Sequence, residues 1–268
     1  MVKTTKIVGI LNITPDSFSD GGRFNSKESA IKHLENMLLN GADMIDIGAE
    51  STRPGHIKIT AEEEWQRLEN ILPELVFIIK NFNKKFNKEV KSSIDSRNFS
   101  TAKKSYEAGI DVINDVDGLR DENMIDFIAS SKATTIIMHC EPVPSVDGAI
   151  INKNVNLTSE IINWAKNKVS YLEKKGVKKS QLIFDPGIGF NKDAMQSIRI
   201  LKNIDEYRSI GLPLYIGHSR KSFLKAINFR EFGELNVDEK TLIISKYLIK
   251  KNIEFLRIHD VAQHKQII

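Results

Sequence analysis

Cysteine, proline and long apolar runs are all scarce in this sequence. Its 268 residues hold one cysteine, Cys140, so no intrachain disulfide can form and a reducing compartment is expected. No stretch approaches the roughly 20 apolar residues of a membrane-spanning helix. The opening Met1-Val2-Lys3-Thr4-Thr5-Lys6 runs into a strand-like segment with no apolar signal-peptide region. A cytoplasmic protein with no membrane partner is therefore expected. Excess charge is scarce too. The 39 basic and 35 acidic side chains leave a net of +4, spread along the chain. That surplus suits a small anionic substrate and does not argue for nucleic acid. Linkers and low-complexity tracts are missing, as is the Gly-x-Gly-x-x-Gly spacing of a dinucleotide site.

What is present is alternation. Short apolar runs at Ile7–Leu11, Met44–Ile47, Val90–Ile94, Val112–Val116, Thr134–Met138, Leu182–Phe184, Leu214–Ile216 and Glu254–Ile258 have the length and texture of strands buried on both faces of a parallel sheet. The segments between them read as helices. Ala30, Leu34, Met37 and Leu38 repeat at helical spacing, with Ser26 as a candidate cap and Gly41 as the stop. Thr60 and Glu63 form a capping box ahead of Leu68, Leu72, Leu75 and Ile79, and Pro73 inside that segment predicts a kink. Ile161, Ala165, Val169 and Leu172 mark a helix closed by Gly176, and Asp238 is expected to cap another running to about Lys251. Eight strand–helix units predict an α/β fold, a single (β/α)8 TIM barrel spanning 1–268, with long first and second βα loops. An open doubly wound sheet is the structural rival.

Polar residues fall where a barrel would use them. Asn12, Asp46, Asp95, Asn114, Asp185, His218 and Arg257 each lie at or just beyond the C-terminal end of an expected strand. In a barrel those ends meet on one face, where active sites sit. Any one of these Asp or Asn residues could instead cap the helix that follows.

Five segments carry most of the information. Gly9 to Gly22 is a strand followed by a turn rich in Pro, Asp, Ser and Gly. Glu50-Ser51-Thr52-Arg53-Pro54-Gly55 follows the second strand, and its arginine could clamp an anion or simply be solvated. Asp185-Pro186-Gly187-Ile188-Gly189-Phe190 has glycines that allow close backbone approach to a ligand. Gly217-His218-Ser219-Arg220-Lys221-Ser222-Phe223 is dense in donors. In Leu256-Arg257-Ile258-His259-Asp260-Val261, Arg257 and His259 are two apart and are expected to point the same way, as a clamp for diphosphate.

In order and spacing from Gly9 to Val261 these segments resemble the dihydropteroate synthases of the pterin-binding barrel family. The resemblance implies a transferase that condenses 6-hydroxymethyl-7,8-dihydropterin diphosphate with p-aminobenzoate, releasing diphosphate, in folate biosynthesis. It implies Mg2+ as cofactor, bound by Asn12 and bridging to the diphosphate, which Arg257 and His259 would hold. Asp95, Asn114, Asp185 and Lys221 would line the pterin pocket, with Met138 packing on a ring face. Asp16, Arg53, Lys221 and Asp95 are the candidate catalytic residues. Thr52, Arg53, Pro54, Phe190, Ser219 and Arg220 would frame the p-aminobenzoate site. A homodimer through helices near the C-terminus is the assembly the family implies.

The chemistry of these side chains agrees. Carboxylates such as Asp95 and Asp185 are natural acceptors for the ring N–H and amino donors along one pterin edge. No protein nucleophile is required, so Cys140 is expected to be a small buried residue. The sequence departs from the family pattern at His139-Cys140-Glu141-Pro142, Ser96, Asn191, His218, Lys225 and Val237-Asp238-Glu239-Lys240-Thr241. Two rivals remain: a methyltetrahydrofolate-using methyltransferase barrel, which would lack the Thr-Pro-Asp-Ser-Phe-Ser-Asp run and the diphosphate clamp, and a degenerate paralogue that binds without turnover.

Overall fold

The alternation becomes a closed ring of strands in the computed structural model, which describes residues 5–13, 23–50, 58–140, 156–227 and 234–268. The strands are β1 (Lys6–Asn12), β2 (Met44–Gly48), β3 (Lys91–Asp95), β4 (Val112–Asp115), β5 (Thr134–Met138), β6 (Leu182–Asp185), β7 (Tyr215–Gly217) and β8 (Phe255–Ile258). Each lies within about a residue of its expected run. Every ladder is parallel, in the order β6-β5-β4-β3-β2-β1-β8-β7. A parallel bridge between Phe184 and Leu214 and a 2.9 Å bond from Phe184 N–H to the Pro213 carbonyl join β6 to β7 and close the barrel. The (β/α)8 expectation holds, and the open sheet is excluded.

Around the ring lie α1 (Arg23–Leu39), α2 (Ala61–Leu68), α3 (Leu72–Phe86), α4 (Phe99–Glu107), α5 (Glu122–Ser130), α6 (Leu157–Lys174), α7 (Ala194–Lys202), α8 (Val237–Lys250) and α9 (Val261–Lys265). Three local expectations need correction. α1 begins at Arg23, so Ser26 lies inside it and is not its cap. Pro73 does not kink one helix. The chain breaks after Leu68 and restarts at Leu72, which puts Pro73 in a first turn, where its missing N–H costs nothing. α8 is capped by Asn236, not Asp238; Asn236 and Glu239 complete a reciprocal capping box. The Thr60–Glu63 box and the left-handed stops at Gly41 and Gly176 are as expected.

Period-2 alternation sorts the strand side chains into two layers. Outward-facing residues such as Ile7, Leu11, Ile45, Ile47, Ile94, Ile113, Ile137 and Phe184 pack against the helices in one continuous core. Each such Ile or Leu side chain contributes about 1.5–3 kcal/mol on burial. Inward-facing Val8, Met44, Val112, Ile136, Ile183 and Tyr215 form a second apolar cluster that plugs the barrel floor. Two residues further along the same strands stand Asp46, Asn114, Met138, Asp185 and Gly217. The polar floor of the mouth is thus set by strand period.

Candidate active site

At the centre of that upper layer is Asp46, fully buried. Its Oδ1 accepts from Ser93 Oγ at 2.6 Å, and its Oδ2 accepts from Asn114 Nδ2 at 3.0 Å and Arg257 Nε at 2.6 Å. Burying a carboxylate costs several kcal/mol. Donors to a charged group return roughly 1.5–3 kcal/mol each, so this set is what makes the burial tolerable. Arg257 also reaches Asp95, with Nη2 at 2.7 Å from Oδ2. The other Asp95 oxygen, Oδ1, is buried with no hydrogen-bond partner. Burial pushes the Asp95 carboxyl up to about 7; Arg257 opposes the rise, and Asp46, Glu64 and Glu50 reinforce it. Arg257 is held the other way, its pKa raised by Asp46 and Asp95 against the cost of burial.

Two strands leave room at this level by carrying glycine. A methyl group on Gly48 would stand 3.4 Å from Asp95 Cβ and 3.8 Å from Asn12 Oδ1. One on Gly217 would stand 3.8 Å from Arg257 Cδ and 3.9 Å from Asp185 Oδ2. Asn12, Asp95, Arg257 and Asp185 therefore form one run of neighbours, joined through the Arg257–Asp95 pair. Tyr215 lies buried below, its hydroxyl without a partner and its pKa pushed up by burial and by Asp46.

The loop after β6 forms the opposite wall. Asp185 Oδ1 accepts from Gly187 N–H at 2.7 Å; burial raises this carboxyl and Lys221 lowers it. Lys221 donates to the Ile188 carbonyl and sits 4.4 Å from the Phe190 ring centre, a cation–π contact. Burial pulls its amine down to about 8, with Asp185 opposing. Gly187 has φ +70°, and a Cβ there would come 2.0 Å from the His139 carbonyl oxygen, so only glycine fits. Lys192 fastens this loop to the end of β5, its ammonium 3.0 Å from each of the His139, Gly187 and Phe190 carbonyls. Met138 is buried with Val116 and Cys140, against Phe190. Cys140 Sγ donates to the Val116 carbonyl, and burial pushes the thiol up to about 12, which fits the inert role expected of it.

Other candidates are disposed differently from one another. Ser219 Oγ lies 2.8 Å from His259 Nδ1, which joins a residue expected at the p-aminobenzoate site to one expected at the diphosphate. Arg220 has φ +56°, and its guanidinium is bidentate to Asp238 at the start of α8, at 2.6 and 3.0 Å. His218 points away from the mouth, to Ser245 of α8 at 2.8 Å, and burial pulls it down to about 3. Asp16, Thr52, Arg53 and Pro54 lie outside the described residues. Glu50, just before that second loop, pairs with Arg97 through two bonds of 2.9 and 2.8 Å and accepts from Ile59 N–H beyond it at 3.1 Å.

Sequence reasoning noted Asp46 at a strand end but gave it no role. The signal was there: an acid flanked by isoleucines, two residues past Met44 on the inward face. Lys192 gave no signal, because the His139, Gly187 and Phe190 carbonyls it binds come from two different loops.

The family described as pterin binding enzymes matches residues 8–259. The dihydropteroate synthase of Clostridium beijerinckii is 36% identical over 264 residues, 98% of this chain and 91% of that protein. Among solved structures, the dihydropteroate synthase of Anaplasma phagocytophilum with bound 6-hydroxymethylpterin-monophosphate is 43% identical, with a TM-score of 0.86 over 99% of this chain and 97% of that one. The Xanthomonas albilineans dihydropteroate synthase with 4-aminobenzoic acid is 27% identical, with a TM-score of 0.84 over 99% and 91%.

Proposed function

The chain belongs to the pterin-binding enzyme family and, within it, to the dihydropteroate synthases, and on that premise we propose which of its residues hold each substrate. The reaction condenses 6-hydroxymethyl-7,8-dihydropterin diphosphate with p-aminobenzoate to give 7,8-dihydropteroate and diphosphate, in folate biosynthesis. Asp95, Asn114, Asp185 and Lys221 grip the pterin, with Met138 against the ring. Arg257 and His259 receive the diphosphate, and Phe190 and Ser219 border the p-aminobenzoate. The observation that carries this assignment is the unpartnered buried Asp95 Oδ1, on a side chain that neighbours Asn12 beside Gly48 and pairs with Arg257, which neighbours Asp185 beside Gly217. For Asp16, Thr52, Arg53 and Pro54, which lie outside the described residues, the proposal keeps the roles that the family resemblance implies, Asp16 and Arg53 in catalysis and Thr52, Arg53 and Pro54 at p-aminobenzoate, with Arg220 beside them.

Bond breaking starts at the pterin methylene carbon. The carbon–oxygen bonding pair leaves with the diphosphate, whose charge Arg257 and His259 meet at the mouth. The electron-rich dihydropterin spreads the positive charge left behind, and the Asp95 and Asp185 carboxylates favour that cation. The amine nitrogen of p-aminobenzoate then supplies the pair for the new carbon–nitrogen bond and loses a proton. Water exclusion matters at this step, since water would capture the same cation.

Asn12 is the residue we assign to Mg2+. Its amide oxygen borders the same space as Asp95, a hard-oxygen setting of the kind this ion accepts alongside phosphate and water. When bound, the ion supplies neutralising charge to the leaving group. A homodimer through helices near the C-terminus is the assembly we propose, as the family implies. The buried free thiol of Cys140 suits a cytoplasmic setting, and no described helix is long and apolar enough to cross a membrane.

A coupled assay for diphosphate release tests the activity and its rivals together. Release that depends on both hydroxymethyl-dihydropterin diphosphate and p-aminobenzoate is expected. No release, from protein that still binds pterin, would point to the degenerate paralogue instead.

A further inference from the structure

The steps above assign nothing to Asp46, yet it accepts hydrogen bonds from β3, β4 and β8 at once, through Ser93, Asn114 and Arg257. We infer that Asp46 is a specificity-determining positioning residue, which fixes the Asn114 amide in the one orientation that presents its carbonyl oxygen to the ligand. The inference rests on the proposed placing of Asn114 in the pterin pocket.

Donor and acceptor count decides the orientation. An amide side chain has almost the same shape either way round, so its orientation is decided by what it faces. A carboxylate can only accept. With Asp46 Oδ2 at 3.0 Å, the Asn114 atom facing it is the NH2 group. The reversed amide would set oxygen against oxygen in a place with no solvent to relieve it. Asp46 is itself immobilised, by Arg257 Nε on the same oxygen and by Ser93 Oγ on the other. It has no freedom to turn and admit the alternative.

The consequence concerns the class of heterocycle accepted. Asn114 Oδ1 makes no hydrogen bond among the described residues, and Asp95 Oδ1 is an orphaned acceptor nearby on β3, the strand that pairs Asp95 with Asn114 in register. With Asn114 held carbonyl-outward, β3, β4 and β6 present acceptors together, from Asp95, Asn114 and Asp185. Such a row recognises a ring edge made of N–H and amino donors. It disfavours a ring whose group opposite Asn114 Oδ1 is an acceptor, while the second Asn114 N–H, which Asp46 does not take, can donate to an acceptor beside it.

Leucine in place of Asp46 has nearly the same shape but no acceptor oxygen. Asparagine, by contrast, would keep all three partners, its oxygen toward Asn114 and Arg257 and its NH2 toward Ser93 Oγ, which can accept. With leucine, Asn114 is free to reverse. Calorimetry with 6-hydroxymethylpterin on the full chain reads this directly. The Asp46→Leu variant is expected to bind about tenfold or more weakly, the effect of one misdirected buried hydrogen bond. Adding Asn114→Asp should recover most of that loss, because an aspartate at 114 presents an oxygen whichever way it lies. A role confined to holding the fold together would give no such recovery. Unchanged affinity in Asp46→Leu, or a loss that the second substitution leaves in full, overturns the inference. Should Asp46→Leu not fold, Asn114→Asp alone reads the same pair. It should bind poorly, with two carboxylates opposed, and improve when Asp46→Asn is added; no improvement overturns the inference. Failure of the unsubstituted protein to bind the pterin would instead count against the proposed function.

Discussion

Arg257 and Asp95 meet through only half of the carboxylate: Nη2 lies 2.7 Å from Oδ2, while Oδ1 is buried without a partner. The ion pair holds the aspartate in place and leaves one acceptor unspent. Asp95→Asn keeps the shape but loses the charge. A hydrogen bond to a charged group is worth about 1.5–3 kcal/mol, so affinity for 6-hydroxymethylpterin should fall by roughly tenfold to a hundredfold. Calorimetry that finds equal affinities would remove Asp95 from the pterin site.

Burial raises Asp95 to about 7 and lowers Lys221 to about 8. The competent free enzyme carries an ionised Asp95 and a protonated Lys221. kcat/KM for the pterin substrate should therefore climb as pH rises through about 7 and fall again above about 8. Lys221→Arg cannot lose its charge in this range. Whatever activity that variant retains should lack the alkaline limb. An alkaline limb that survives the change belongs to another group.

Asp115 predicts a trend in stability rather than in rate. It is almost fully buried, and burial raises its carboxyl from 3.8 to about 7. The folded chain therefore keeps a proton that the unfolded chain gives up between these values. Its contribution to stability is full below about 4 and is lost as pH rises through about 7. Asp115→Asn removes this titration while keeping an oxygen for the Asp117 N–H at 2.7 Å. The ligand-free Tm should drop less between pH 5 and pH 8 in the variant than in the parent. Asp95, raised in the same way, keeps part of the slope. Parallel Tm curves would show that Asp115 does not titrate there.

Two glycines with positive φ should respond very differently to alanine. Gly176, at φ +93°, would place its new Cβ 3.8 Å from the nearest atom, so only backbone strain is added, about 1–2 kcal/mol. Gly187 adds to the same strain a Cβ 2.0 Å from the His139 carbonyl, which cannot move without breaking the contact to Lys192. Gly176→Ala should stay folded with a modestly lower Tm, whereas Gly187→Ala should lose the site or the fold. Similar Tm losses in the two variants would mean that the loop relaxes freely.

Local signals were enough for much of this molecule. Strand runs, capping boxes and glycine stops depend on residues within one turn or one strand of each other, and these were legible at Thr60, Gly41 and Gly176. Even there, near-equal alternatives misled: Asn236 and Asp238 are both good caps, and only the reciprocal bond from Glu239 decides between them. Pro73 reads as a kink because sequence alone does not reveal that a helix has already ended five residues earlier.

By itself the sequence determined the barrel and the acids and amides at its strand ends, because periodicity and residue type are properties of the chain read in order. Tertiary structure alone decided the pairings among them. Arg257 and Asp46 are 211 residues apart and are brought together only because β8 closes against β1 beside β2. Buried charges take whatever partners the closed ring supplies, and which atom of Asn114 or Asp95 remains for a ligand depends on those partners.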